Sequence, residues 1–245
     1  MPADPADGTA SGSPAGGSGA AGPKERIEDE IRRDIIFGVL APGSRITEAS
    51  LARKYGSSRV PVREALHTLE AEGFVESKPY AGSTVSHMPV GEADDLFAVR
   101  EVVETATARR AAERAARQLA AGTPDDAWWA TRGRVAEILA AGDTAVAEGR
   151  LQALPELNVR FHLAVAELAD SRSLTVLLRQ LAGKIEWLYA ADVDNRGKQS
   201  WSEHRVLMAA VDSGDALRAQ ELMSSHVAQS RAGYLSRFVP PLPPN

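Results

Sequence analysis

Residues 57–66 read SSRVPVREAL, and the proline inside this stretch decides how the chain on either side of it is to be read. Proline locks its own φ and has no amide donor, so a helix accepts it only in the first turn, where amide hydrogens have no partner within the helix. A helix therefore starts here, with Ser57 or Ser58 as its cap. Onward, Val62, Ala65, Leu66 and Leu69 recur at the spacing of one buried stripe. Arg59, Arg63 and His67, each four residues after the last, share a neighbouring stripe that faces out. The helix thus offers a partner guanidinium groups near its N-terminus.

Upstream, Ile27, Ile31 and Ile35 predict a first helix, and Ala41-Pro42-Gly43 a turn. Thr47 caps a second helix through Leu51, Ala52 and Tyr55, and Gly56 stops it. Downstream, FVES (74–77) and STVS (83–86) flank Lys78-Pro79-Tyr80-Ala81-Gly82, the pattern of a two-stranded hairpin. Helix, helix, tight turn, helix, hairpin is the order of a winged helix-turn-helix, spanning residues 24–88.

The chain divides near SHMPVG (86–91), and residues 89–238 read as an all-α bundle. Periodicity predicts helices at 92–121, 124–141, 143–153, 155–169, 173–193, 200–213 and 215–236, with breaks at Gly142, Pro155 and Gly214. The fold class is mainly α, a winged helix-turn-helix followed by a helical bundle. Residues 1–23, nearly all Gly, Ala, Ser, Pro and Asp, predict a disordered tail, and residues 239–245 a proline-rich one.

The net charge of −5 conceals a local cluster. Residues 24–88 balance 10 basic against 10 acidic groups, yet Arg53, Lys54, Arg59 and Arg63 occur with no acid between Glu48 and Glu64. Screening over about 10 Å makes nearby charges count most, so the cluster marks a nucleic-acid footprint that the total hides. Zero cysteines exclude a disulfide framework and thiolate zinc fingers, which fits a reducing cytoplasm. No apolar run approaches the roughly 20 residues that cross a bilayer, so no membrane partner is expected.

The stretch ITEASLARKYGSSRVPVREALHTLEAEGFVESKPYAGSTV resembles the DNA-binding head of the GntR family of bacterial transcription regulators, in which an SR-x-PVREAL core, L-x-x-EG and a wing glycine are characteristic. Further segments, FAVREVVETATARRAA, LNVRFHLAVAELADS, SEHRVLMAAVDSGD and SSHVAQS, are similar in order to the FCD ligand domain of its FadR-like subfamily. For the head, the resemblance implies a third helix in the major groove of double-stranded DNA. Arg59 and Arg63 then approach guanine edges and phosphates, where a planar fork bonds O6 and N7 together. Ser58 matches a phosphate-contacting position, and Gly82 a wing tip near the minor groove. Arg53 and Lys54 fit phosphate contact or plain solvation equally well.

Three of the five histidines, His162, His204 and His226, fall in the helical part. Their separations match no local zinc signature, so spacing alone reads them as core residues. The resemblance implies instead a divalent metal held inside the bundle, with Asn158, His162, His204 and His226 at the ligand positions. Asn158 departs from the commoner aspartate and brings no negative charge. Zinc or nickel suits imidazole best, and a site left at the full +2 charge favours an anionic ligand. Arg100 matches an arginine beside the effector pocket; its other reading is a helix salt bridge with Glu104.

The expected function is a DNA-binding transcription regulator, a repressor, controlled by a small organic acid. A homodimer would present two recognition helices to an inverted repeat. A metal-dependent hydrolase with Glu203 as base is the alternative from another class, although Glu203 precedes a ligand on a helix and points about 100° away from it. A metal-free ligand-binding module is the third.

Overall fold

The computed structural model describes residues 22–78, 82–122 and 125–238. The tail expected over residues 1–23 lies outside this range except at its end, and so do the C-terminal tail and residues 79–81 of the expected wing. Among the described residues there are eight α-helices and three short strands. No helix among them is long and apolar enough to cross a membrane.

Helix α1 (Pro23–Ile36) begins on a proline in its first turn and buries Ile27, Ile31 and Ile35. Strand β1 (Arg45–Ile46) leads into α2 (Glu48–Lys54), whose cap is reciprocal: Thr47 accepts from the Ser50 amide and Ser50 Oγ from the Thr47 amide. Helix α3 (Arg59–Ala71) starts with Ser58 at the cap position and buries Val62, Ala65, Leu66 and Leu69. The Ser58 side chain makes no capping hydrogen bond. Strands β2 (Val75–Lys78) and β3 (Gly82–Val85) follow, and β1 pairs antiparallel with β3, giving the order β1-β3-β2. The expected hairpin is therefore extended to a three-stranded sheet with β3 in the middle. Two residues are too few to show alternation, and β1 exists only because β3 offers it an edge.

The bundle contains α4 (Val90–Ala121), α5 (Asp126–Ala147), a 3₁₀ turn at Leu151–Ala153, α6 (Leu154–Leu168), α7 (Arg172–Asp212) and α8 (Ala216–Ser236). Helix α4 packs along α8 and crosses α6 and α7. Two of the expected breaks do not occur. Gly142 lies inside α5, buried, where any Cβ would fall inside the Trp201 indole; it is there for close approach, not to end a helix. The polar run 194–199 continues α7 without interruption, because its Arg196, Gly197 and Ser200 side turns to the bundle interior while the opposite side meets solvent.

Helix α7 also seats the N-terminal unit. Trp187 joins the core formed by α1, α3 and the sheet, stacking on Phe74 with ring centroids 5.2 Å apart. Lys184 pairs with Glu92 at the start of α4 in the same seam. At 41 residues this helix is about 60 Å long, passes the seam at Lys184 and Trp187 about a third of the way along, and runs on to Asp212.

Candidate functional site

The residues expected on the outer stripe of α3 lie at its surface. Arg59, Arg63 and His67 are exposed, as are Arg53 and Ser58. Arg63 is held by a carboxylate: its Nε donates to Glu48 Oε1 at 2.6 Å and Nη2 to Oε2 at 2.9 Å. That hydrogen bond, followed by the guanidinium charge, holds the Glu48 carboxyl below its usual range. Lys54 lies 2.7 Å from Asp34 Oδ2, so it is partly committed within the head. Gly82 opens β3 opposite Lys78 with φ +82°, a conformation that suits glycine.

Inside the bundle the three histidines, scattered along the sequence, converge. His162 comes from α6, His204 from α7 and His226 from α8, and one ring nitrogen of each lies within 4.8 Å of the others. All three are buried, as is Asn158 one turn before His162. Phe161 stacks on the His204 ring at 4.1 Å and the Trp201 indole meets it edge-on at 4.9 Å, fixing its plane. Burial first, then the neighbouring histidines, pushes His204 well below the ordinary histidine value. Burial likewise brings His226 down to about 4 against the opposing pull of Glu203. Both rings are therefore neutral at pH 7, the state that coordinates metals.

The polar bookkeeping of this centre does not close within the protein. Nε2 of His162, both nitrogens of His204, Nε2 of His226 and both amide atoms of Asn158 are buried without partners. Buried polar atoms left without partners cost about 1–3 kcal/mol each, and here several such donors and acceptors are concentrated in one place. A divalent ion suits the donor set, since imidazole nitrogen is a ligand for zinc and nickel and the Asn158 carbonyl supplies oxygen.

One helical turn from the histidines lies a cavity of about 20 Å³, room for a water-sized group. Its lining includes Arg100 of α4, Tyr189, Arg196 and Ser200 of α7, and Ser230 of α8. Three of these bring buried donors with no partner: Arg100 Nη2, Arg196 Nε and Ser200 Oγ. Helical spacing ties cavity to cluster, because Arg100 precedes Glu104, Ser200 precedes His204 and Ser230 follows His226, each by four residues. The two features are stacked about 6 Å apart along three helices.

The salt-bridge reading of Arg100 is present, with Nε donating to Glu104 Oε1 at 2.8 Å, and the residue also lines the cavity. Glu104 is fully buried, and its other oxygen lies 2.7 Å from His162 Nδ1. Burial would raise its carboxyl, yet the Arg100 and His162 charges overcome that and hold it far below the usual range. On the other side, Glu203 accepts from Arg196 and lies 2.8 Å from His226 Nδ1. Arg196, Ser200 and the histidine contacts of Glu104 and Glu203 were not readable as site residues, since only the packing of α4, α6, α7 and α8 brings them together.

Comparison with known proteins agrees with this architecture. Residues 23–85 match the family described as bacterial regulatory proteins, gntR family, and residues 95–229 match the FCD domain. The HTH-type transcriptional repressor RspR of Escherichia coli (strain K12) is 23% identical over 207 residues, covering 84% of this chain and 86% of that protein. The probable D-xylose utilization operon transcriptional repressor of Paenarthrobacter nicotinovorans is 28% identical over 207 residues, covering 83% and 84%. A crystal structure of a transcriptional regulator GntR from Rhodococcus sp. RHA1 superposes with a TM-score of 0.69 at 22% identity, covering 87% of this chain and 97% of that one. A winged helix-turn-helix joined to an FCD bundle, matched along most of its length, makes this chain a transcriptional regulator of the GntR family, in the branch that carries the FCD domain.

Proposed function

We propose that the protein is a repressor whose grip on operator DNA is set by a small carboxylate bound beside a divalent metal. The observation that carries this reading is the convergence of orphaned donors on one small cavity, a turn away from a cluster of buried histidines. Arg100 Nη2, Arg196 Nε and Ser200 Oγ offer a carboxylate charge-assisted hydrogen bonds. Zinc or nickel held by His162, His204 and His226, with Asn158 as a neutral oxygen ligand, would supply a second positive charge and a Lewis-acidic anchor. A cavity of about 20 Å³ limits the effector to a small acid.

The DNA side rests on residues 24–88, with residues 89–238 as the effector and dimerisation unit. Arg59 and Arg63 read base edges in the major groove, Ser58, Arg53 and Lys54 meet phosphates, and Gly82 lets the wing approach the minor groove. Two copies engage an inverted repeat in the bacterial cytoplasm. Repression is the direction supported by the names of the two relatives. Against a hydrolase stands the engagement of Glu203, the one candidate base, whose oxygens are occupied by Arg196 and His226.

Selection of bound duplexes from a random pool, repeated with zinc and a panel of small organic acids, tests the proposal. The expected result is an inverted repeat, bound with steep salt dependence, whose retention changes with one class of carboxylate. The Arg59→Ala, Arg63→Ala double variant should lose it. Operator binding that survives that change, or that ignores every acid with and without zinc, refutes the corresponding half.

A further inference from the structure

The histidine centre has an electrostatic problem of its own. Its three imidazoles and one amide carry no negative charge, so a bound divalent ion would keep its full +2 in a fully buried place. Isolated charge in such surroundings is costly unless it is paired. The nearest carboxylates are not ligands. They stand behind the ligands, on the Nδ1 side of two histidines, and each is held in turn by an arginine that lines the cavity.

Resting on the metal reading above, we infer that Glu203 is a positioning residue for the metal: it accepts the Nδ1 hydrogen of His226, which fixes the tautomer that leaves Nε2 bare and supplies charge that Asn158 does not. The geometry is specific. Glu203 Oε2 lies 2.8 Å from His226 Nδ1, and Arg196 Nη2 donates to both carboxylate oxygens, at 3.1 and 2.9 Å. The unpartnered nitrogen of that ring is Nε2, the atom that faces the cluster's demand for a ligand. Histidine ligands characteristically give their other N–H to a carboxylate, which orients the ring and strengthens the donor nitrogen. Glu104 stands in the same relation to His162 through a charge contact of 2.7 Å, without an aligned hydrogen bond. Two chains, Arg196–Glu203–His226 and Arg100–Glu104–His162, therefore run from the cavity wall to the metal ligands.

The position of Glu203 explains how one residue serves a helix it does not belong to. It immediately precedes His204 on α7, so the two side chains diverge by about 100°. His204 turns to the cluster from α7 itself, while Glu203 reaches across to α8 and controls a ligand there.

The test is zinc affinity of the full chain by competition with a chromogenic chelator, together with the ¹⁵N imidazole spectrum of the metal-free protein. The wild type should bind one zinc and show His226 as the Nδ1–H tautomer. Glu203→Ala should weaken zinc binding by roughly 10–100-fold and leave His226 as a mixture of tautomers. Glu203→Gln keeps the volume and an acceptor, so it should retain the tautomer, fold where the alanine variant does not, and lose only the charge, with a drop of about tenfold. Zinc binding by Glu203→Gln within threefold of the wild type, or an unchanged His226 spectrum in a folded Glu203→Ala, overturns the inference. A wild type that binds no zinc overturns the metal reading itself, and this inference with it.

Discussion

Gly142→Ala sets two effects of opposite sign against each other. By helix propensity alone the change should stabilise, since glycine in a helix interior costs about 0.5–1 kcal/mol relative to alanine. Packing says otherwise. A methyl group at this buried position of α5 would occupy the space of the Trp201 indole, a rigid ring rather than a flexible chain end. The ring is pinned from both sides, by its Nε1 bond of 3.1 Å to Asp143 and by its contact with His204. Overpacking a core costs about 1–3 kcal/mol, and a pinned aromatic places this site at the upper end. The balance is a loss of about 1–2 kcal/mol, which for a domain of this size lowers the melting temperature by roughly 2–8 °C. Because the displaced indole carries His204 with it, zinc affinity should fall as well, by about tenfold. Thermal denaturation of the metal-free variant followed by circular dichroism reads the first effect and chelator competition the second. A melting temperature equal to or above that of the wild type would show that Gly142 is a tolerated helix residue and that the Trp201 contact is not tight.

Asn158→Asp restores a negative ligand and should raise zinc affinity at least tenfold in the same competition measurement, while leaving DNA binding of the metal-free protein unchanged. Glu48→Gln frees Arg63 and removes an acid beside the DNA face, so binding to a scrambled duplex should rise more than binding to the selected operator, narrowing their ratio in a gel-shift titration. Trp187→Ala opens the seam with Phe74 and should speed amide exchange in α1 and β2 while α5 and α6 keep their protection. Acid should separate wild type from Asp125→Asn in a definite sense. The Arg114 hydrogen bond, and then the amides of Trp128 and Ala127, hold the Asp125 carboxyl below its ordinary value. Its contribution is therefore complete above the unfolded carboxylate value near 4 and lost as pH falls through the lower folded one. The melting-temperature gap between the two proteins should shrink from pH 5 to pH 2; a constant gap contradicts this.

Local rules made α3 legible in full, because Pro61 fixes the start and Val62, Ala65, Leu66 and Leu69 bury as their spacing requires. The reciprocal cap of α2 at Thr47 was equally local. Misread elements share one cause, a tertiary neighbour that sequence proximity cannot show. Gly142 resembles a helix stop until Trp201, 59 positions later, arrives beside it. Residues 194–199 resemble a loop until α4 and α8 cover one side of them. His162, His204 and His226 have separations without any signature, and it was the family pattern that grouped them before the fold did. Glu203 was read as pointing away from the site, yet it reaches His226 from α7, because α8 lies where the sequence could not place it.

Helix α7 spans the seam and the histidine centre without a break. From Trp187 to His204 the backbone advances about 25 Å as one stiff rod. Most of the cavity wall is made of the same rod, between Leu188 and Ser200. The cavity wall and the contact with the N-terminal unit are thus not joined in series through loops; they are two marks on a single ruler. Under the proposed function, a guest that moved the cavity wall would tilt that ruler against α4 and carry the motion toward the Phe74 contact, so the orientation of the head would follow what the interior holds.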